Sequence, residues 1–346
     1  MFSLRLVLYY FFFLLALAGL TACVQSRPSV YFARAEGVGA ARPAVGQHTF
    51  RYTNPITRDT AISMRNHFII KVGKQWFSTG TSMPVWSGPN PGVRLLVSDD
   101  LIHWRQHSWL IDAEKLPVDC PYNGRFWAPK IHFIQNKYWL TVNSGQVTAQ
   151  DPKCMSTHSF WLFSADKVTG PLAPHYNNDA TLFEDMGSQT CLYCSGNGRW
   201  QAKIDLPTGK LLGEIKQFMS HKDANNPGWM VGGIEGPFVL KRDGTYFMFF
   251  STWTRGYEVG LLRAKLPLGA WELALPEPIF GTRKRAYRAE MARGGYADLQ
   301  FTDTPDPYQE TGHNAIFEGP DGQLWSSCHY FFDQRITPLA DWQKVP

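Results

Sequence analysis

Three acidic residues stand where predicted β-strands begin, and together they could carry out acid–base chemistry. Asp59, Asp179 and Glu235 each come immediately before, or at the edge of, a short run of strand-forming residues. Like charges brought close together drive their pKa values apart, so one carboxyl group can stay protonated beside an ionised neighbour. A protonated acid paired with an ionised base is the arrangement that hydrolyses glycosidic bonds. The three residues are therefore the candidate catalytic groups.

Each acidic residue also has a simpler interpretation. An Asp before a strand is commonly a turn residue or cap, and Asp59 considered alone favours that role. Glu235 is more unusual because it lies in the segment Gly-Ile-Glu-Gly-Pro, residues 233–237. The flanking glycines leave backbone space for a ligand, and no basic residue is close to Glu235 in the sequence.

The composition predicts a folded, all-β protein. Of 346 residues, 44% are hydrophobic and 18% are charged, which is enough apolar surface for a full core. The 14% aromatic content, with 30 Gly and 23 Pro, is typical of short strands joined by tight turns. The net charge of +5 is spread along the chain without a basic run, so a nucleic-acid partner is not expected.

One local pattern recurs along residues 49–346, which we interpret as a single domain. Each unit has a strand carrying a polar residue, a Gly or Asn turn, an aromatic strand and, in most units, a further strand. Units begin near residues 61, 130, 180, 237 and 315. Five such units predict a five-bladed β-propeller, with a pair of β-sandwiches as the alternative. The innermost strand of each blade lines the axis, so polar residues at its start should converge on one end.

The N-terminal segment predicts export and lipid anchoring. Arg5 and an apolar run from Leu6 to Leu20 have the form of a signal peptide, over residues 1–22, and are too short for a comfortable membrane span. The small residues ending at Cys23 resemble a lipobox, in which Cys23 is acylated and followed by a linker over 23–48. With Val24 after the cysteine, the expected location is the outer membrane of a bacterial cell envelope. An ordinary signal peptide with a chance cysteine is the alternative.

Five further cysteines leave at least one thiol unpaired. Cys120 and Cys154 are expected to form a disulfide between loops. Cys191 and Cys194 have CxxC spacing but lie in a strand-like segment, so packing is favoured over metal or redox chemistry.

Six segments, in order, resemble glycoside hydrolase family 43. They begin at Asp59 and Lys74, at Ser98, at Phe126, at Asn178, at Ile234 and at Gly312. The Phe126 segment reads Phe-Trp-Ala-Pro-Lys-Ile-His, and the Gly312 segment reads Gly-His-Asn. The resemblance covers most of residues 49–346. It implies a five-bladed β-propeller enzyme that acts on arabinose- and xylose-containing glycans with inversion.

The resemblance also implies roles for individual residues. Asp59 would be the general base that activates water, Asp179 would tune the pKa of the acid, and Glu235 would protonate the leaving oxygen. Trp127 would form a wall for the sugar ring, with simple blade packing as the alternative. His313 would bind substrate and help to hold a metal ion or water near the axis, or be a structural hydrogen-bonding residue. No cofactor is expected to be required, although Ca²⁺ or another ion could occupy the axis.

Three positions depart from the family pattern. Thr60 and Ala180 stand where the family usually has Pro after an Asp, and Lys130 stands where an Asp is common. A missing Pro removes a constraint on backbone direction, which loosens the expected placement of the carboxylates.

The sequence therefore predicts a monomeric, exo-acting α-L-arabinofuranosidase or β-xylosidase that hydrolyses oligosaccharides or polysaccharides. Two alternatives remain at this point: a non-catalytic glycan-binding propeller lipoprotein, and a related five-bladed glycosidase with another sugar specificity.

Overall fold

A computed structural model describes most of the chain after residue 63. The described residues are 64–83, 89–152, 154, 159–164, 167–169, 178–185, 189–196, 198–231, 233–254, 256–283 and 308–332. Asp59, Cys23 and the predicted signal peptide and linker lie outside them. Within the described part, no helix is both long and apolar enough to cross a bilayer.

The structure is built almost entirely from antiparallel strands, arranged in sheets that follow one another along the chain. The first sheet contains β1 (Met64–Val72), β2 (Gln75–Ser82), β3 (Gly92–Ser98) and β4 (Arg105–Asp112). The second contains β5 (Phe126–Ile134), β6 (Lys137–Ser144), β7 (Ser159–Ser164) and β8 (Lys167–Thr169). The third contains β9 (Asn178–Asp185), β10 (Gln189–Ser195), β11 (Arg199–Asp205), β12 (Lys210–Leu211) and β13 (Lys216–Met219). The fourth contains β14 (Ile234–Arg242), β15 (Thr245–Thr252), β16 (Gly256–Ala264), β17 (Glu272–Leu273) and β18 (Phe280–Arg283). The last contains β19 (Tyr308–Glu318) and β20 (Leu324–Phe332). Single turns of 3-10 helix occur at Ala113–Lys115 and Gly228–Met230.

These sheets confirm the predicted all-β propeller but correct the number of blades. The described residues form four blades of four or five strands, rather than five blades. The fifth predicted unit supplies only the two-stranded sheet of β19 and β20. The repeated sequence pattern identifies the first hairpin of each unit. A hairpin alone does not establish the outer strands that complete a blade.

The first strands of all five sheets surround the axis. β1, β5, β9, β14 and β19 each contact the next in this order, and β19 also contacts β1. The β19–β20 sheet therefore lies between the fourth blade and the first.

Each of these five first strands contains the same β-bulge. In each strand two residues lie opposite one residue of the neighbouring strand, and the first of the two has a left-handed backbone. We call these left-handed residues the bulge ring: Asn66 (φ 53°), Ala128 (φ 42°), Asp179 (φ 56°), Gly236 (φ 60°) and His313 (φ 52°). Because non-glycine residues rarely adopt positive φ, four of them and one glycine in equivalent places indicate one repeated structural device.

Apolar side chains fill the spaces between neighbouring sheets. One cluster joins the first and second blades, one joins the second and third, one joins the third and fourth, and one joins the first blade to Phe317 of β19. Cys194 belongs to the cluster facing the second blade and Cys191 to the cluster facing the fourth. Both thiols are buried and free, so the prediction that this CxxC segment is a packed strand is confirmed.

The predicted disulfide between Cys120 and Cys154 is wrong, since both cysteines are free thiols. Cys154 packs against the backbone at Gly124, where an added Cβ would lie 2.9 Å from its Sγ. The thiol of Cys120 instead interacts with the Tyr122 hydroxyl. Each cysteine is therefore held by neighbours other than its expected partner.

Candidate active site

The bulges of β9 and β14 bring Asp179 and Glu235 together. Asp179 is the bulge-ring residue of β9, and Glu235 directly precedes Gly236, the bulge-ring residue of β14. One Asp179 carboxylate oxygen accepts the Gly236 N–H at 2.9 Å, and the other accepts the Asn143 side-chain amide at 3.2 Å. The backbone N–H of Asp179 donates to the same Asn143 side chain at 3.2 Å. Asp179 is therefore locked in place by two neighbouring blades.

Glu235 lies in an environment that favours its protonated form. Burial, followed by the negative charge of Asp179, raises the pKa of Glu235 to about 7. Three groups act in the opposite direction: a hydrogen bond donated by the Tyr257 hydroxyl to Oε1, and the charges of Arg65 and Arg199. Since the pKa is close to neutral, Glu235 can hold a proton and release it near physiological pH.

Two buried cations support the backbone around these carboxylates. Arg199 is fully buried and donates from its guanidinium to the Glu235 carbonyl oxygen at 2.6 Å and to the Ser195 hydroxyl. Burial lowers the pKa of Arg199 to about 9, with Asp179 and Glu235 opposing that shift. Arg199 thus fixes the backbone of Glu235 without pairing directly with its carboxylate.

Lys130, which departs from the family pattern, lies close enough to the two carboxylates to interact with their charges. Its ammonium donates to the Pro237 carbonyl at 2.8 Å and lies 3.5 Å from the Asp179 carbonyl oxygen. Burial lowers the pKa of Lys130 to about 7, against the opposing charge of Asp179. The side chain therefore connects the inner strand of the second blade to those of the third and fourth.

His313 completes the group from β19. Its backbone N–H donates to the Ser251 hydroxyl at 2.8 Å, and its ring Nδ1 lies 3.4 Å from the Tyr257 hydroxyl. Burial, reinforced by the charge of Lys130, holds the pKa of His313 well below its usual value, so the ring is neutral. Nε2 is buried and makes no hydrogen bond among the described residues.

Asp179, Glu235 and His313 could together hold a metal ion. One potential ligand atom from each lies within 4.8 Å of the other two. One nitrogen and two carboxylates are fewer ligands than Ca²⁺ normally takes, so waters would have to complete its shell. Both Asp179 oxygens and Glu235 Oε1 already accept hydrogen bonds. The unpartnered His313 Nε2 is the atom best suited to an ion or water.

Trp127 lies at the same end of the propeller as Glu235. It directly precedes the bulge-ring residue Ala128, as Glu235 directly precedes Gly236. The Arg125 guanidinium stacks over the indole, with Cζ 3.7 Å from the ring centroid. Trp127 is partly exposed at this end.

The structure therefore brings together Asp179, Glu235 and His313, while Asp59 lies outside the described residues. Sequence reasoning did not identify Tyr257 or Arg199 as parts of the site. Tyr257 occurs in a β-strand whose other residues look like ordinary core. Its only sequence signal would have been its place on β16 of the blade that carries Glu235.

A concavity lies toward the other ends of the inner strands. It has a volume of about 720 Å³ and is lined by residues including Phe68, His132, Phe238 and Glu318. Neither Asp179 nor Glu235 lines it, so it is separate from the candidate active site.

Comparison with known proteins identifies the same family along the chain. The model of glycosyl hydrolases family 43 matches residues 52–339. A xylan 1,3-β-xylosidase from Vibrio sp. is 26% identical over 273 residues, covering 73% of this chain and 48% of the Vibrio protein. A xylosidase/arabinosidase 43B from Humicola insolens is 26% identical over 261 residues, covering 69% of this chain and 45% of its own length. The chain thus spans about half the length of these curated relatives.

Solved structures show the same fold. An α-L-arabinofuranosidase from Lactobacillus brevis superposes with a TM-score of 0.60 at 17% identity, covering 84% of this chain and 90% of that protein. A thermostable family-43 glycoside hydrolase superposes with a TM-score of 0.61 at 19% identity, covering 82% of this chain and 94% of its own.

Proposed function

The chain belongs to glycoside hydrolase family 43, and from that premise we propose that it is an inverting glycosidase acting on arabinose- or xylose-containing oligosaccharides or polysaccharides. The observation that carries this proposal is the half-buried Glu235, whose pKa is raised to about 7 beside a fixed Asp179. A glycan-binding protein has no need for a carboxyl group that can donate a proton near neutral pH.

Glu235 is the proposed general acid. As the glycosidic bond breaks, its proton passes to the leaving oxygen, and the carboxylate that remains is stabilised by the Tyr257 hydroxyl and by the charges of Arg65 and Arg199. Asp179 keeps Glu235 protonated before this step because its negative charge opposes ionisation.

The general base is proposed to come from elsewhere in the chain. In inverting enzymes the two carboxyl groups are ~6.5–9.5 Å apart, leaving room for a water molecule. Asp179 and Glu235 have oxygens within 4.8 Å of each other, which is too close for that arrangement. Asp59, in the segment leading to β1, is the proposed base. It would activate water on the side of the sugar opposite Glu235 by accepting a proton from that water.

The substrate class rests on the relatives. Those described above are named for xylosidase, arabinosidase and arabinofuranosidase activities, which supports an α-L-arabinofuranosidase or β-xylosidase specificity. Trp127 is proposed to present its indole to the apolar face of the sugar ring.

Several further features belong to the same proposal. The β19–β20 hairpin is proposed to act as a reduced fifth blade, because it carries the bulge shared by the four complete blades. The reaction is proposed to need no metal, since a cation bound by Glu235 would favour its ionised form and remove the proton required of the acid. An axial ion or water would be held by His313. The chain is proposed to act as a monomer, anchored to the bacterial outer membrane through Cys23.

The test is to replace Glu235 by Gln and vary the leaving group. The amide keeps the shape but cannot donate a proton, so we expect at least a 100-fold loss of kcat on xylo- or arabino-oligosaccharides. Dinitrophenyl glycosides of the same sugars should lose far less, because their leaving group needs no proton.

Glu272→Gln is the matched control, since Glu272 is exposed and pairs with Arg263 on the surface. It should behave like the wild-type chain on both substrates. Wild-type hydrolysis of the natural oligosaccharide by Glu235→Gln would show that Glu235 is not the acid.

A further inference from the structure

Asn66 occupies in the first blade the position that Asp179 occupies in the third. Asn66 and His67 of β1 lie opposite Gly80 of β2, because Arg65 pairs with Thr81 and Phe68 with Thr79. Asp179 and Ala180 of β9 lie opposite Cys194 in the same way. Both bulge-ring residues have nearly the same left-handed backbone, with φ of 53° and 56°.

The neighbours of Asn66 place it at the level of the carboxylates. The preceding residue, Arg65, has its guanidinium 5.5 Å from the Tyr257 ring centroid, and Tyr257 donates to Glu235. Two residues after Asn66, the ring of Phe68 lies 5.7 Å from that of Phe238, which is two residues after Gly236. Equivalent residues of β1 and β14 thus lie at the same height along the propeller axis, so Asn66 is level with Gly236.

The Asn66 side chain has an acceptor without a partner. Asn66 is 9% exposed, and its Oδ1 accepts no hydrogen bond from the described residues. Its backbone N–H is used, donating to His329 Nδ1 at 3.4 Å. Leaving a buried acceptor unsatisfied is destabilising, so a hydrogen bond donated to this atom by water or a ligand would be stabilising.

We propose that Asn66 is the residue that positions the attacking water, through a hydrogen bond from the water to Oδ1. The proposal rests on the proposed function. The water oxygen forms the new bond to the anomeric carbon, the bond to the leaving oxygen breaks, and the Glu235 proton passes to that oxygen. The amide of Asn66 cannot accept the proton lost by the water, which passes to a separate base, proposed above to be Asp59.

This assignment predicts that a carboxylate at position 66 can serve as a base. Asp tolerates a left-handed backbone almost as well as Asn, so Asn66→Asp preserves the bulge. The informative comparison is Asp59→Asn against Asp59→Asn with Asn66→Asp, using dinitrophenyl xyloside and arabinofuranoside as probes. We expect the double variant to have a kcat at least 10-fold above that of Asp59→Asn, because positioned base catalysis contributes 10²–10⁴-fold.

Asn66→Ala tests the positioning itself. Removing Oδ1 should lower kcat at least 10-fold and leave KM within about twofold, because the water is not part of the sugar-binding contacts. Thermal unfolding of each variant identifies any that fail to fold. Asn136→Asp is the matched control: Asn136 has φ of 59° on an exposed turn, and this variant should not accelerate Asp59→Asn.

The outcomes separate this inference from the proposed function. If Glu235→Gln shows its leaving-group-dependent loss but Asn66→Asp gives no gain in the Asp59→Asn chain, the water is not held by Asn66 and the proposed function stands. If the wild-type chain and all folded variants hydrolyse none of the probes, the inference and the proposed function are both overturned.

Discussion

At the scale of single residues, the site depends on opposing influences on one proton. Burial and Asp179 raise the pKa of Glu235, whereas Tyr257, Arg65 and Arg199 lower it. The balance lies at a pKa of about 7, so kcat should fall as the pH rises through that value, because the acid is then ionised. Each of these neighbours can be replaced separately, and the direction in which each shifts the pKa of Glu235 gives the expected effect of its replacement.

Asp179→Asn and Tyr257→Phe should move the alkaline limb of the kcat profile in opposite directions. Asp179→Asn removes the negative charge that opposes ionisation of Glu235, so the limb moves to lower pH. Tyr257→Phe removes a hydrogen bond to the ionised form, so the limb moves to higher pH. The pH dependence of kcat on an oligosaccharide measures both shifts. Shifts of the alkaline limb in the same direction would refute this account of the pKa of Glu235.

The sequence motifs place three of the candidate residues on particular strands, and the roles of these residues stay predictions. Asp179, Glu235 and His313 were named from their motifs, and the structure places them together. Tyr257 and Arg199 could not be named, because their importance arises from burial beside a carboxylate in another strand. The sequence does carry a signal for Asn66: its segment leads into the turn at Gly73 as the Gly236 segment leads into the turn at Asp243-Gly244.

At the scale of elements, the bulges of the inner strands orient the proposed catalytic groups. At Gly236 the left-handed backbone directs an N–H to Asp179 and leaves room for the imidazole of His313. A Cβ added there would lie 2.9 Å from His313 Nδ1. The glycine therefore meets two requirements, a positive φ and a close approach between blades.

Gly236→Ala should be more destabilising than Gly244→Ala. Both glycines have positive φ, of 60° and 72°, but nothing lies within 4 Å of a Cβ added at Gly244. We expect Gly244→Ala to cost about 1–2 kcal/mol of backbone strain, and Gly236→Ala at least about 1 kcal/mol more together with a loss of kcat. Urea unfolding gives the comparison, and equal costs would mean that the contact with His313 is unimportant.

At the scale of the whole molecule, the repeating sequence pattern predicts the propeller architecture better than it predicts how many strands complete each blade. Hairpins are visible in sequence because their turns need residues such as Asp243-Gly244, both with positive φ. Short outer strands such as β12 (Lys210–Leu211) and β17 (Glu272–Leu273) have no comparable signal. The pairing of Cys120 with Cys154 failed for a similar reason, since distance along the chain does not determine which side chains meet.

The proposed membrane anchor also belongs to the scale of the whole chain. If acylation of Cys23 attaches the protein to the envelope, Cys23→Ala should move it from the membrane fraction to the soluble fraction after export. Fractionation and immunoblotting would measure the distribution. Complete retention of the Cys23→Ala protein in the membrane after signal removal would contradict lipid anchoring.

The stereochemistry of the product tests the central claim most directly. Proton NMR of the first-formed sugar, recorded before mutarotation, distinguishes one displacement from two. Attack by a water held on the side of the ring opposite Glu235 predicts a product whose anomeric configuration is inverted relative to the substrate. A product with the substrate's configuration would contradict the account, and would indicate instead that Asp179, within 4.8 Å of Glu235, acts as a nucleophile.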